Sequence, residues 1–216
     1  MTALAVLPDP STLAVFVPAS VALILAPGPD SLFVLSRGIT DGSFGGIAAA
    51  LGTCTGILIH TTAAVLGLSV LFRTSALAYT AVKYVGAAYL LYLGIQTIRS
   101  EEEFDVTIGD TEHGARENYL RGVLINVLNP KVALFFLAFL PQFVAPGAGT
   151  SIQMLTLGLL FSGLGTTYLA GVAVLSSRVR RVLVEYPPVS RALRWATGSV
   201  LVGFGLSLAL DERVTS

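Results

Sequence analysis

A chain of 216 residues with 54% hydrophobic and only 12% charged side chains, thirteen basic against thirteen acidic, has a mean hydropathy of +0.78, far from the composition of a soluble domain. The lipid bilayer is therefore the expected solvent, and zero net charge without a basic patch interleaved with aromatics leaves no surface for nucleic acid. The single cysteine, Cys54, can form neither an internal disulfide nor a multi-cysteine metal site.

A membrane-crossing helix needs about 20 predominantly apolar residues. Six windows meet this, at 12–36, 45–72, 77–98, 119–144, 151–175 and 195–210, and predict an all-α polytopic membrane protein. A cleaved secretory segment would open with basic residues, but none precedes Arg37, so the first window predicts a retained span. It contains ILAPGPDSLF, residues 24–33. Proline removes a backbone donor and clashes with the preceding turn, and a carbonyl freed in hydrocarbon costs several kcal/mol unless protein or water satisfies it. Pro27, Gly28 and Pro29 therefore predict a broken helix that faces the interior or a cavity, restarting with Gly28 as its cap and Pro29 at its first position. Asp30 is the only acid well inside any window. The dipole of the restarted helix favours it, yet a charge at that depth costs about 2.5–3.5 kcal/mol, which makes Asp30 a candidate site residue.

The second window carries GTCTGILIHTT. Gly52 and Gly56 have the GxxxG spacing that lets membrane helices approach closely, within one subunit or across a homodimer. His60 lies one turn beyond Gly56, where an imidazole suits proton exchange or a plain hydrogen bond with a neighbouring helix. In the third window Tyr79 and Tyr84 suit interfacial positions. The polar stretch RSEEEFDVTIGDTEHGAREN, residues 99–118, has the composition of a linker and separates a first unit, 1–98, from a second, 119–216. Three spans on each side force the two units to run in opposite senses, the topology of an inverted repeat.

The fourth window supplies a counterpart to the first break in VLNPKVALFF, residues 127–136. Setting Pro130 against Pro29 aligns Asn129 with Gly28 and Lys131 with Asp30, and Asn129-Pro130 predicts a second helix restart. Lys131 in its first turn opposes the local dipole and requires an anionic partner, either Asp30 or a group on a ligand. Asn126, a turn earlier, is placed to bond freed carbonyls or to line the cavity. Opposed half-helix ends with a lysine suit a carboxylate, and Asp30 suits an ammonium or a proton. A zwitterionic amino acid fits both.

The basic residues are unevenly spread. Arg178, Arg180, Arg181, Arg191 and Arg194 fall around the fifth connection, Arg99, Arg116 and Arg121 flank the linker, and Arg37 follows the first window. The positive-inside rule places these connections in the cytoplasm and both termini outside. Trp195, at the start of the sixth window, suits the interface.

APGPDSLFVLSRGITDGSFGGIAAALGTCTG and NVLNPKVALFFLAFLPQFV, in this order and about a hundred residues apart, resemble the two signatures of the lysine exporter (LysE) and RhtB superfamily of amino-acid efflux proteins. The resemblance implies a small transporter of the prokaryotic inner membrane that moves lysine, threonine, homoserine or leucine type substrates outward on the proton gradient. It also places the family's two proline elements on Pro27, Gly28, Pro29 and on Asn129, Pro130, Lys131. No GxxxxGK[ST] loop occurs, which fits coupling to a gradient, with sodium as the alternative ion. No cofactor or metal is expected. A passive channel or a scaffold subunit would leave the matched breaks without a role. An enzyme would need a nucleophile with a base, paired carboxylates or a metal set, against one histidine and one acid in the windows.

Overall fold

The computed structural model describes residues 8–74, 76–99, 112–144 and 149–210. These fold into α1 (Pro10–Leu25), α2 (Pro29–Thr40), α3 (Gly42–Thr74), α4 (Ala76–Arg99), α5 (Ala115–Val127), α6 (Pro130–Leu134), α7 (Thr150–Val174), α8 (Ser176–Glu185) and α9 (Pro187–Leu210). α6 runs on through a π turn, Phe135–Phe139, and a 3-10 turn, Leu140–Phe143.

Both predicted breaks are present. α1 and α2 meet at 54° across Ala26 to Gly28, and α5 meets the segment Pro130–Phe143 at 49°. Helices α3, α7 and α9 are each long and apolar enough to cross a bilayer, and the count rises to five if each bent pair is taken as one span. α4, with 24 residues packed lengthwise on α9, has the length of a sixth. Leu51, Leu66, Leu159 and Leu210 point outward and are half or more exposed, a surface that suits lipid and not water. The chain is an all-α, polytopic membrane protein.

α3 lies between α5 and α7, and glycine allows the first of these contacts. A Cβ on Gly52 would strike the Tyr119 carbonyl, one on Gly56 would lie 2.6 Å from Asn126 Oδ1, and Gly122 on α5 sits reciprocally against Ala49. The GxxxG face is therefore an internal seam and is not available as a dimer surface. α4 and α9 meet the same way: a Cβ on either Gly94 or Gly198 would lie 2.8 Å from the other's carbonyl oxygen. The π turn is braced by aromatics, with Phe161 stacked on Phe135 at 4.5 Å and edge-on to Phe136 at 5.5 Å between ring centroids. Such pairs contribute beyond their buried area.

The structure departs from the sequence reading at three connections. The arginine-rich stretch expected as a loop forms α8, with Arg178, Arg180 and Arg181 exposed. α9 begins at Pro187 and not at residue 195, which places the exposed Trp195 within the helix and not at its start. α5 begins at Ala115, inside the stretch read as linker, while 100–111 lies outside the described residues. Tyr84 is exposed on α4; the side chain of Tyr79 lies outside the described residues.

Candidate transport site

The two breaks face each other, and each is closed by a side chain from the other. In the first, the chain leaves α1 at Ala26 and restarts at Pro29, with Gly28 as the cap of α2. Gly28 N–H donates to Ser31 Oγ at 3.3 Å and the hydroxyl donates back to the Gly28 carbonyl at 3.1 Å. In the second, Asn129 caps α6 by accepting from the Lys131 backbone N–H at 3.0 Å. Pro29 and Pro130 both occupy the first helical turn, where a missing donor leaves no bond unmade.

Across the gap, Asp30 Oδ2 accepts from Asn129 Nδ2 at 2.8 Å and from Asn126 Nδ2 at 3.0 Å. Lys131 Nζ reaches back to the end of α1, donating to the carbonyls of Ala26 at 2.9 Å and Leu23 at 3.2 Å. These are carbonyls that a continuous helix would have used internally. Lys131 is thus compensated by the negative end of α1, and the ion pairs among the described residues do not include one between Lys131 and Asp30. Of the two anionic partners expected for Lys131, Asp30 thus makes no direct ion pair with it. A Cβ on Gly28 would lie 2.9 Å from Lys131 Nζ, so the glycine is what lets the ammonium reach its seat.

Three ammonium donors serve two carbonyls, leaving one donor. Asp30 Oδ1, in turn, is buried without a hydrogen-bond partner among the described residues. The residues around them enclose a cavity of about 30 Å³, room for a water-sized group and well below the several hundred Å³ of an ordinary small-molecule pocket.

Asn126 is fully buried; it donates to Asp30 and does not bond the carbonyls freed by its own break. His60 Nε2–H donates to the Asn126 carbonyl at 3.1 Å, with its ring stacked 6.1 Å from that of Phe136. His60 is not part of the cavity lining; its hydrogen bond reaches Asn126, which in turn donates to Asp30. Pro27 is part of the turn and contributes no side-chain contact to the cavity lining.

The sequence reading missed a second polar cluster. Arg37, taken as a connecting charge, is buried in α2 and lies 3.4 Å from Asp41. Asp41 also accepts from Asn118 Nδ2 at 2.7 Å and from the His113 backbone N–H at 3.2 Å, tying the α2–α3 corner to the start of α5. The signal in the sequence is Asp41-Gly42, where Gly42 turns the chain at φ +72°, a conformation that favours glycine.

The family model for the LysE type translocator matches residues 21–212. The chain belongs to this family. A homoserine/homoserine lactone efflux protein of Salmonella typhimurium is 34% identical over 88% of the chain and 92% of its own length. An uncharacterised membrane protein of Bacillus subtilis is 27% identical over 93% and 99%, and one of Vibrio cholerae is 31% identical over 88% and 92%. No solved structure matches the translocator. The matched region contains both breaks and the residues that line the cavity between them.

Proposed function

We propose that the translocator exports amino acids by alternating access around the cavity between the two breaks. The observation that carries this reading is a pair of unspent hydrogen-bonding groups in the lining of one cavity: a free Asp30 oxygen and a third Lys131 donor. They match the ammonium and carboxylate of a zwitterion, and both can be met without breaking the bonds that close the breaks. The efflux role of the Salmonella relative favours the outward direction and makes homoserine-type solutes the first to try.

The two units, 1–98 and 119–216, act as inverted repeats that rock against each other. Supporting this, like meets like: α3 packs on α7, the middle helices, and α4 on α9, the last ones. Asp30 is also the proton carrier in this reading, because it is the buried acid of the cavity and one of its oxygens is open. Arg37, Arg121 and the arginines of α8 gather at the end where Gly38 touches Ser176, and the positive-inside rule assigns that end to the cytoplasm.

The test is efflux from proteoliposomes loaded with each amino acid in turn, with and without an imposed proton gradient. Gradient-dependent release of at least one amino acid, reduced tenfold or more in Lys131→Ala, is the expected result. Release unaffected by Lys131→Ala would remove the cavity from the pathway.

A further inference from the structure

We propose that α3 and α7 form the side-chain subsite of this cavity, that the subsite accepts only an uncharged side chain, and that Thr53 selects one carrying a hydroxyl. The inference rests on the reading of Asp30 and Lys131 as ligands of the α-ammonium and α-carboxylate. Besides those two groups the cavity is lined, from α3 and α7, by Thr53, Ile57, Phe161, Gly165 and Leu169.

Charge is decided by counting. Asp30 and Lys131 are the charged residues that line the cavity, and a zwitterion occupies both. A third charge, on a lysine, arginine or glutamate side chain, would face Ile57, Phe161 and Leu169 without a counter-ion. Burying an unpaired charge is prohibitive.

The hydroxyl preference comes from the behaviour of threonines on α3. A helical threonine ordinarily returns its hydroxyl to the carbonyl four residues back. Thr55, Thr61 and Thr62 do so, bonding Leu51, Ile57 and Leu58 at 3.1, 2.9 and 2.8 Å. Thr53 does not: its side chain is 1% exposed and Oγ1 has no hydrogen-bond partner among the described residues. Of the buried unpartnered side-chain atoms, Asp30 Oδ1 and Thr53 Oγ1 belong to residues that line the cavity. An unmade bond on a buried hydroxyl is costly, and a ligand hydroxyl would supply it. Next to Thr53, Cys54 Sγ lies 3.2 Å from Ser162 Oγ, which holds α3 to α7 on that wall. Gly165 completes it without a side chain; a Cβ there would meet Ile57 Cδ1 at 3.4 Å, narrowing the space left for a substrate.

The experiment compares homoserine, 2-aminobutyrate and lysine as efflux substrates in proteoliposomes. 2-Aminobutyrate is homoserine without its hydroxyl. The wild type is expected to prefer homoserine about tenfold and to leave lysine inside, as befits one unmade hydrogen bond and one unpaired charge. Thr53→Val keeps the shape and is expected to lose the preference about tenfold while 2-aminobutyrate still moves, which also shows that the variant is folded. Thr53→Ser is expected to retain it. An unchanged homoserine to 2-aminobutyrate ratio in Thr53→Val, or lysine efflux equal to that of homoserine, would overturn the proposal. If Thr53→Val does not insert, equal wild-type efflux of homoserine and 2-aminobutyrate overturns it by itself. Failure of the underlying reading looks different: no amino acid would move, or Lys131→Ala would leave every rate unchanged.

Discussion

Gly28→Ala isolates the seat of Lys131 in a single methyl group. The backbone accepts alanine, because φ at Gly28 is −164°, an extended conformation open to any residue. The obstacle is the lysine: the new Cβ would lie 2.9 Å from Nζ and 3.4 Å from Cε. The ammonium must swing aside, and at least one of its bonds to the Ala26 and Leu23 carbonyls is lost. A hydrogen bond to a charged group contributes about 1.5–3 kcal/mol. Replacing glycine by alanine at a compatible position returns about 0.4–1 kcal/mol by restricting the unfolded chain. The net cost in the wild-type background is thus about 1–2 kcal/mol. In a Lys131→Ala background the clash is gone, and the same substitution is expected to change sign and stabilise by about 0.4–1 kcal/mol. Unfolding of the four proteins in detergent forms a double-mutant cycle. Equal effects of Gly28→Ala with and without Lys131 would refute the claim that the glycine exists for the lysine.

Asp30→Asn keeps an oxygen that can accept from Asn126 and Asn129 but removes the charge. The variant is expected to fold and insert while its amino-acid efflux falls tenfold or more; normal efflux would remove Asp30 from the site. Gly56→Leu would drive a side chain into Asn126, separating α3 from α5. It is expected to lower the Tm sharply, whereas Gly67→Leu, where nothing lies within 4 Å, is expected to stay within about 0.5 kcal/mol of the wild type. Asp41→Ala leaves buried Arg37 without this carboxylate and deprives Asn118 and the His113 amide of their acceptor. Breaking a buried pair costs about 3–5 kcal/mol, so a thermal unfolding curve unchanged from wild type would contradict the tie between the α2–α3 corner and α5.

The breaks were legible because proline and glycine act through the backbone and announce themselves in a single letter. Apolar length gave the spans for the same reason. What closes the breaks was half legible. Asp30 and Lys131 stood out as charges inside apolar windows, but the partners of Lys131 are backbone carbonyls of residues 105 and 108 positions away. No residue letter marks a carbonyl as free. Thr53 was hidden among other threonines, since no residue letter shows that its hydroxyl goes unbonded while those of Thr55, Thr61 and Thr62 are satisfied locally. Arg37 was read as a connection charge because it follows the first apolar window, and Asp41 drew no notice. Their burial depends on α5 folding back over that corner, a contact between residues 72 and 77 positions apart. α8 escaped notice because a short helix rich in arginine has no apolar run.

The most direct measurement of the central claim is ligand binding to the purified protein. An amino acid that the translocator exports is compared with its N-acetyl derivative and with its amide. The first derivative lacks the ammonium that Asp30 would hold, and the second lacks the carboxylate that Lys131 would hold. The expected result is that the parent binds and both derivatives lose at least tenfold in affinity, with Asp30→Asn no longer distinguishing the parent from the N-acetyl form. Equal binding of all three would contradict a site built from the two breaks.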